Sequence, residues 1–189
     1  MTPPDQAAFE NEVESAFIFL VEEYGYSIHV NQSECAVVFS TEALSIKVFR
    51  EPRSYMIYVE IYPRDTNETL VLHEILHVLA PEKEANAQCS GADEVKMKQC
   101  LGHLSQLVRH LLQVAGSMDQ VTLNRIVLSA KARRTQTTLD AQYGAIRERA
   151  NDAWERKDWQ KARKLYEEAR PGLSTTEQRR LEFLLKKNP

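Results

Sequence analysis

Leu44-Ser45-Ile46-Lys47-Val48-Phe49 and Tyr55-Met56-Ile57-Tyr58-Val59-Glu60-Ile61-Tyr62 decide the fold. In the first run Leu44, Ile46 and Val48 alternate with Ser45, Lys47 and Phe49. In the second, Tyr55, Ile57, Val59 and Ile61 alternate with Met56, Tyr58, Glu60 and Tyr62. Successive side chains of a strand point to opposite faces, so this period of two puts one apolar row of each run on a common face. Ala36–Phe39 reads as a further short strand after a polar break at Asn31–Glu34. The links Ser40–Ala43 and Arg50–Ser54 are too short for a crossover, so adjacent strands run antiparallel in a meander. A one-sided sheet of three or four strands must bury its apolar face, and helices are what the remaining sequence offers.

Those helices show the other period. Phe9, Val13, Phe17, Leu20 and Tyr24 recur at spacings of three and four, which predicts a helix over Asp5–Tyr24 with Gly25 as its stop. Leu72, Ile75, Leu76 and Leu79 mark a short helix ended by Pro81. A polar stretch, Glu82 to Gly91, follows. Val95–Ala115 predicts a longer helix with Leu101, Leu104, Leu107, Val108, Leu111 and Leu112 inward, ended by Gly116. Another starts near Asp119 and runs to about Lys157. The expected architecture is α+β: an N-terminal helix, a small antiparallel meander covered by helices, and an all-helical C-terminal tail. The basic stretch Lys131–Arg134 is the expected boundary, giving a core of 1–130 and a tail of 131–189.

Composition narrows the function classes. The chain has 189 residues, 43% of them hydrophobic, and no low-complexity tract, which fits a folded domain with a real core. Its longest apolar runs, Ala16–Val21 and Ile75–Ala80, fall short of the roughly 18 residues a membrane span needs. Met1–Glu10 carries neither a basic region nor an apolar run of the secretory type. Cys35, Cys89 and Cys100 are an odd count without a CxxC pair and read as reduced thiols, so a cytoplasmic location is expected. The net charge of −3 divides unevenly. Residues 1–130 hold 9 Lys+Arg and 18 Asp+Glu (−9), and residues 131–189 hold 15 and 9 (+6). An acidic core of this kind repels phosphate and favours a basic protein partner, so nucleic acid is not an expected ligand.

One motif points to catalysis. His73-Glu74-Ile75-Leu76-His77 spells H-E-x-x-H and resembles the zincin signature. On a helix it sets both imidazoles on one side to share a zinc, with the Glu as general base on a metal-bound water. This supplies an alternative function: a zinc-dependent metallopeptidase with His73 and His77 as ligands and Glu74 as the catalytic base. Against it, a helical wheel anchored on Leu72 puts Glu74 on the far side from the core stripe. No H-x-x-G-x-x-H extension follows, Pro81 closes the helix early, and Asp93 and Glu94 come only 16 and 17 residues after His77. Cys35 with His29 lacks an orienting third group. His103 and His110, seven apart on a helix, read as solvated or hydrogen-bonded. The leading reading therefore assigns no catalytic residue, no cofactor and no metal.

Two resemblances complete the picture. Within 146–171, Ala150, Ala162, Tyr166 and Ala169 fall where a tetratricopeptide repeat wants small, small, aromatic and small residues, and Lys157-Asp158-Trp159 sits at its inter-helix turn. The tail thus resembles a single tetratricopeptide-like hairpin, followed by a capping helix that opens with the box Ser174-Thr175-Thr176-Glu177. One repeat does not make a solenoid. Trp154 and Trp159 are expected to pack within the hairpin and would anchor a partner only if exposed, and a homodimer through the tail is one use of it. The opening Phe17-Ile18-Phe19-Leu20-Val21-Glu22-Glu23-Tyr24-Gly25-Tyr26, with the strand Arg53-Ser54-Tyr55-Met56-Ile57-Tyr58-Val59, resembles a class of small bacterial cytosolic proteins. Some of these resemble immunity proteins that neutralise toxins. The resemblance implies a non-enzymatic protein-binding module that neutralises a toxin or effector, such as a basic toxin domain, by steric and electrostatic occlusion. The remaining alternative is a self-associating adaptor.

Overall fold

Phe9, Val13 and Phe17 form the buried stripe of α1 (Gln6–Phe17), which breaks at Ile18 and resumes for one turn as α2 (Phe19–Glu22). The computed structural model describes residues 6–64, 66–87, 89–115 and 120–187. The expected helix start at Asp5, stop at Gly116 and restart near Asp119 lie outside them. The spacing alone predicts one continuous helix to Tyr24. Ile18 keeps helical angles (φ −55°, ψ −29°), so the interruption is local, and Phe19 and Leu20 are both buried, with the Phe19 ring 6.2 Å from that of Phe17. Gly25, at φ +71°, then reverses the chain in a conformation that strains any L side chain.

Among the described residues the sheet has six strands: β1 (Ser27–Asn31), β2 (Ala36–Ser40), β3 (Leu44–Arg50), β4 (Met56–Pro63), β5 (Leu70–Val71) and β6 (Cys89–Ser90). Its order is β1-β2-β3-β4-β5, antiparallel throughout, and β6 also pairs with β4. The expected alternation in β3 and β4 is what the structure shows: Leu44, Ile46, Val48, Ile57, Val59 and Ile61 are buried and their neighbours half-buried. This buried face meets α1, α3 (Leu72–Leu79) and α4 (Glu94–Ala115). Each large apolar side chain so placed contributes about 1.5–3 kcal/mol of burial. The expected strands do not include β1, β5 and β6. In β1 Ile28 and Val30 alternate with Ser27, His29 and Asn31, but two apolar residues are a weak signal, and the other two strands are two residues long.

The cysteines require a correction. Cys89 in β6 and Cys100 in α4 are joined by a disulfide, with their Cα atoms 5.7 Å apart, and only Cys35 is a free thiol. Their spacing carries no motif, so the pairing comes from tertiary structure. Gly91 allows it by bringing the backbone close, since a Cβ there would lie 2.8 Å from Ile57 Cδ1 and 3.3 Å from Met97 Cβ.

The chain divides into two units, 1–130 and 131–189. The first is the α+β unit above. The second comprises the later part of α5 (Gln120–Glu155), α6 (Trp159–Glu168) and α7 (Thr175–Lys187). Its core combines Ala150, Ala153, Ala162 and Ala169 with Leu165, Leu173, Leu181 and Leu184, and Tyr166 fills the space that the small residues leave. Asp158 caps α6 by accepting from the Lys161 N–H at 3.2 Å. Ser174 and Glu177 form a reciprocal box at the start of α7: the Ser174 N–H donates to Glu177 Oε2 at 2.8 Å, and the Glu177 N–H to Ser174 Oγ at 3.4 Å.

Candidate functional site

His73, Glu74 and His77 lie on α3, but Glu74 has turned the other way from the wheel's expectation. It is 5% exposed, and its Oε2 accepts the Val71 N–H at 3.0 Å. The physical reason is local. The first turn of a helix has amide donors without intrahelical partners, and a carboxylate at the third position folds back onto them. That contact commits Glu74 to the start of its own helix. His77 is half-exposed and its Nδ1 pairs with Glu84 Oε2 at 2.7 Å, while His73 Nδ1 is buried without a hydrogen-bond partner. No group of three or more His, Cys, Asp or Glu side chains with metal-binding geometry occurs among the described residues. The motif is on a helix as the zinc reading requires, but its base faces the backbone.

The other sequence candidates are dispersed. His29 sits mid-strand in β1 opposite Val38, whereas Cys35 lies in the turn beyond β1 with φ +48°. His103 and His110 are half-buried along α4. In the second unit Trp154 and Trp159 pack edge to face at 5.2 Å, Phe183 joins Trp154 at 5.9 Å, and Arg180 stacks over the Trp154 ring. Beside them a polar lattice links the helices. Glu177 accepts from Arg147 Nε and Asn151 Nδ2, each at 2.9 Å, and Tyr166 donates to Asn151 Oδ1 at 2.8 Å. Burial pushes the Glu177 carboxyl up, but the Ser174 and Asn151 hydrogen bonds and the Arg147 charge outweigh it and hold the group below its ordinary value. These groups are occupied with one another and hold the hairpin together.

Charge is distributed more unevenly than the two-unit totals suggest. Eight acidic residues fall between Asp5 and Glu42, and no Lys or Arg precedes Lys47. This segment makes α1, α2, β1 and β2. Cations from later elements neutralise part of it: Lys98 meets Glu12 at 3.1 Å, Arg109 meets Glu23 at 2.6 Å, and Lys47 meets Glu34 at 2.6 Å. Glu14, Glu22 and Glu42 form no ion pair among the described residues. Ile18 and Ile28 are 43% and 40% exposed in the same segment. An open cleft of about 600 Å³, lined by Gly25, Ser27, Thr41, Glu42 and Arg64 among others, lies where β1 begins. The sequence reading missed this feature because Ile28 and Val30 are too few apolar residues to mark a strand by themselves.

No family model, no curated protein and no solved structure matches the chain. The functional reading therefore rests on its own residues.

Proposed function

We propose that this chain is a non-enzymatic protein-binding module, an immunity protein that neutralises a basic toxin or effector domain by covering its working surface. The observation that carries this reading is the acidic surface of the first unit, with its cation-free stretch ahead of Lys47. Opposite charge speeds encounter and orients the partner, and covering a surface needs no chemistry of its own. The paired sheet and the helices packed on it present a contact surface that is already folded, which lowers the ordering cost of association. The tetratricopeptide-like tail, with its opposite charge, serves as an orienting appendage or as a self-association element. The cytoplasmic placement keeps the resemblance behind it but loses the support of three reduced thiols, because two of them are paired.

Co-expression pull-down with the product of the adjacent gene tests the reading. Capture that weakens with salt, together with protection of cells from that product, is expected. A folded protein that captures nothing and whose loss sensitises nothing would sink it. Elemental analysis separates it from the zinc alternative, for which about one equivalent of zinc should survive metal-replete purification; below about a tenth of an equivalent that alternative fails.

A further inference from the structure

The two edges of the sheet are built differently. One is formed by β5 and β6, each two residues long, and offers little backbone to a neighbour. The other is β1, Ser27-Ile28-His29-Val30-Asn31, with no Lys, no Asp or Glu, no Pro and no Gly. Natural edge strands are normally kept short, charged, bulged or proline-blocked to prevent pairing with another chain. β1 has none of these protections apart from its modest length, and Ser27, Ile28 and His29 are exposed.

The register fixes which of its backbone groups are available. The Arg50 N–H donates to the Cys35 carbonyl at 3.3 Å and the Thr41 N–H to the Leu44 carbonyl at 2.9 Å. Residues 35 and 41, and hence 37 and 39, therefore exchange their hydrogen bonds with β3. Ala36, Val38 and Ser40 then face β1, where their partners are Asn31, His29 and Ser27. Ile28 and Val30 are left with both N–H and C=O pointing away from the sheet. Their side chains lie on the helix-covered face, beside Phe39 and Val37 respectively.

We propose that this edge is the docking site for an extended, basic segment of the partner, which adds to the sheet as a strand beside β1. The hydrogen bonds come from Ile28 and Val30, and apolar residues of the added strand cover Ile28. Charge complementarity selects the occupant. Cations from later elements pair with Glu12, Glu23 and Glu34, but Glu14, Glu22 and Glu42 of the same segment form no ion pair among the described residues. A second copy of the same edge therefore meets like charge, and a lysine-rich strand meets opposite charge. The proposal rests on the protein-binding reading above and names the place and chemistry of its contact.

The test uses the full chain and the peptide Lys-Val-Lys-Val-Lys-Val-Lys, with Glu-Val-Glu-Val-Glu-Val-Glu as its charge-reversed control. Amide hydrogen exchange followed by NMR is the main readout. The His29 amide is already in the ladder and is protected without peptide, whereas those of Ile28 and Val30 exchange freely. The basic peptide should slow exchange at Ile28 and Val30 by at least about tenfold and leave His29 as it was. Binding should weaken as salt rises from about 0.05 M to about 0.3 M, and the acidic control should not bind. Val30→Pro removes one outward donor without touching the β1–β2 ladder, so it should fold and bind at least about tenfold more weakly. A basic peptide that binds while both amides stay free overturns the proposal, as does one that does not bind at all. Concentration-dependent protection of the same amides without peptide also overturns it, by making a second copy the occupant. A partner found by pull-down and captured equally by Val30→Pro refutes the edge and leaves the protein-binding reading standing; failure to capture any partner refutes that reading itself.

Discussion

The two units of this chain hold together by different means. Residues 1–130 bury large side chains between a sheet and helices, with Phe9, Phe17, Phe39 and Ile46 among those fully enclosed, and a disulfide ties β6 to α4. Residues 131–189 bury four alanines and four leucines around Tyr166 and link their helices through Arg147, Glu177, Asn151 and Arg180. Both cores are apolar, but the second is smaller and adds a polar lattice between its helices. The contrast matters for function, because an apolar core leaves the surface of the first unit free to carry one sign of charge. In the second unit, part of the charge is spent inward. Both tryptophans, Trp154 and Trp159, are in the second unit, so tryptophan fluorescence reports on it alone.

The largest expected effect removes volume from the first unit. Phe17 packs its ring 5.9 Å from Phe39 and is fully buried, so Phe17→Ala should cost about 3–5 kcal/mol. Denaturant titration by circular dichroism should show that loss, while the fluorescence transition of the tail moves far less. An equal shift in both signals would mean that the units unfold as one. Next comes the disulfide. Its cysteines are 11 residues apart, and releasing a loop of that length costs about 3 kcal/mol in the chain-entropy account. Reductant, or Cys89→Ser with Cys100→Ser, should lower the first unit's transition by that amount and leave tryptophan emission unchanged. Insensitivity to reductant would remove the staple from the comparison.

A smaller effect belongs to the second unit. Glu177→Gln keeps the shape but removes the charge facing Arg147, and should cost about 1–3 kcal/mol read by fluorescence. The pH dependence has the same origin. The folded carboxyl lies below its ordinary value of 4.5, so its contribution is present above that value and is lost as pH falls through the depressed one. Acidification below about 4.5 should therefore destabilise the tail of the native protein, and the Gln variant should show less of that dependence. Equal acid sensitivity in both would assign the effect to other carboxylates.

What was legible in the sequence follows the same contrast. The buried rows of β3 and β4 and the stripe of α1 follow directly from period, because burial on one face forces alternation or a three-four spacing. Ala150, Ala162, Tyr166 and Ala169 were also readable, since close helix packing demands small residues around one large one. The failures have other causes. The fold-back of Glu74 and the Cys89–Cys100 bond depend on what a residue meets in space, whereas β1 shows its alternation in only two apolar residues, Ile28 and Val30. A helical wheel knows nothing of an amide donor at Val71, and eleven intervening residues do not show that two thiols meet. The candidate docking site also depends on spatial neighbours. Ile28 and Val30 acquire outward hydrogen-bonding groups only once β2 has taken the inward ones.

The smallest expected effect isolates a single backbone angle in each unit. Gly25 and Lys157 both hold left-handed conformations, at φ +71° and +61°, in the turns that follow α2 and α5. A residue with a Cβ pays roughly 1–2 kcal/mol there, and glycine does not, although glycine also makes the unfolded chain more flexible. Lys157→Gly should therefore stabilise the tail by about 0.5–1 kcal/mol, seen as a rise in the fluorescence midpoint. Gly25→Ala is the mirror experiment. An added Cβ at Gly25 has nothing within 4 Å, so its cost, about 1 kcal/mol, is conformational and not steric. Opposite signs of similar size would show that the same strain is relieved in one unit and tolerated in the other. A destabilising Lys157→Gly would instead mean that the lysine stem contributes packing at the turn, and the two turns would no longer be comparable.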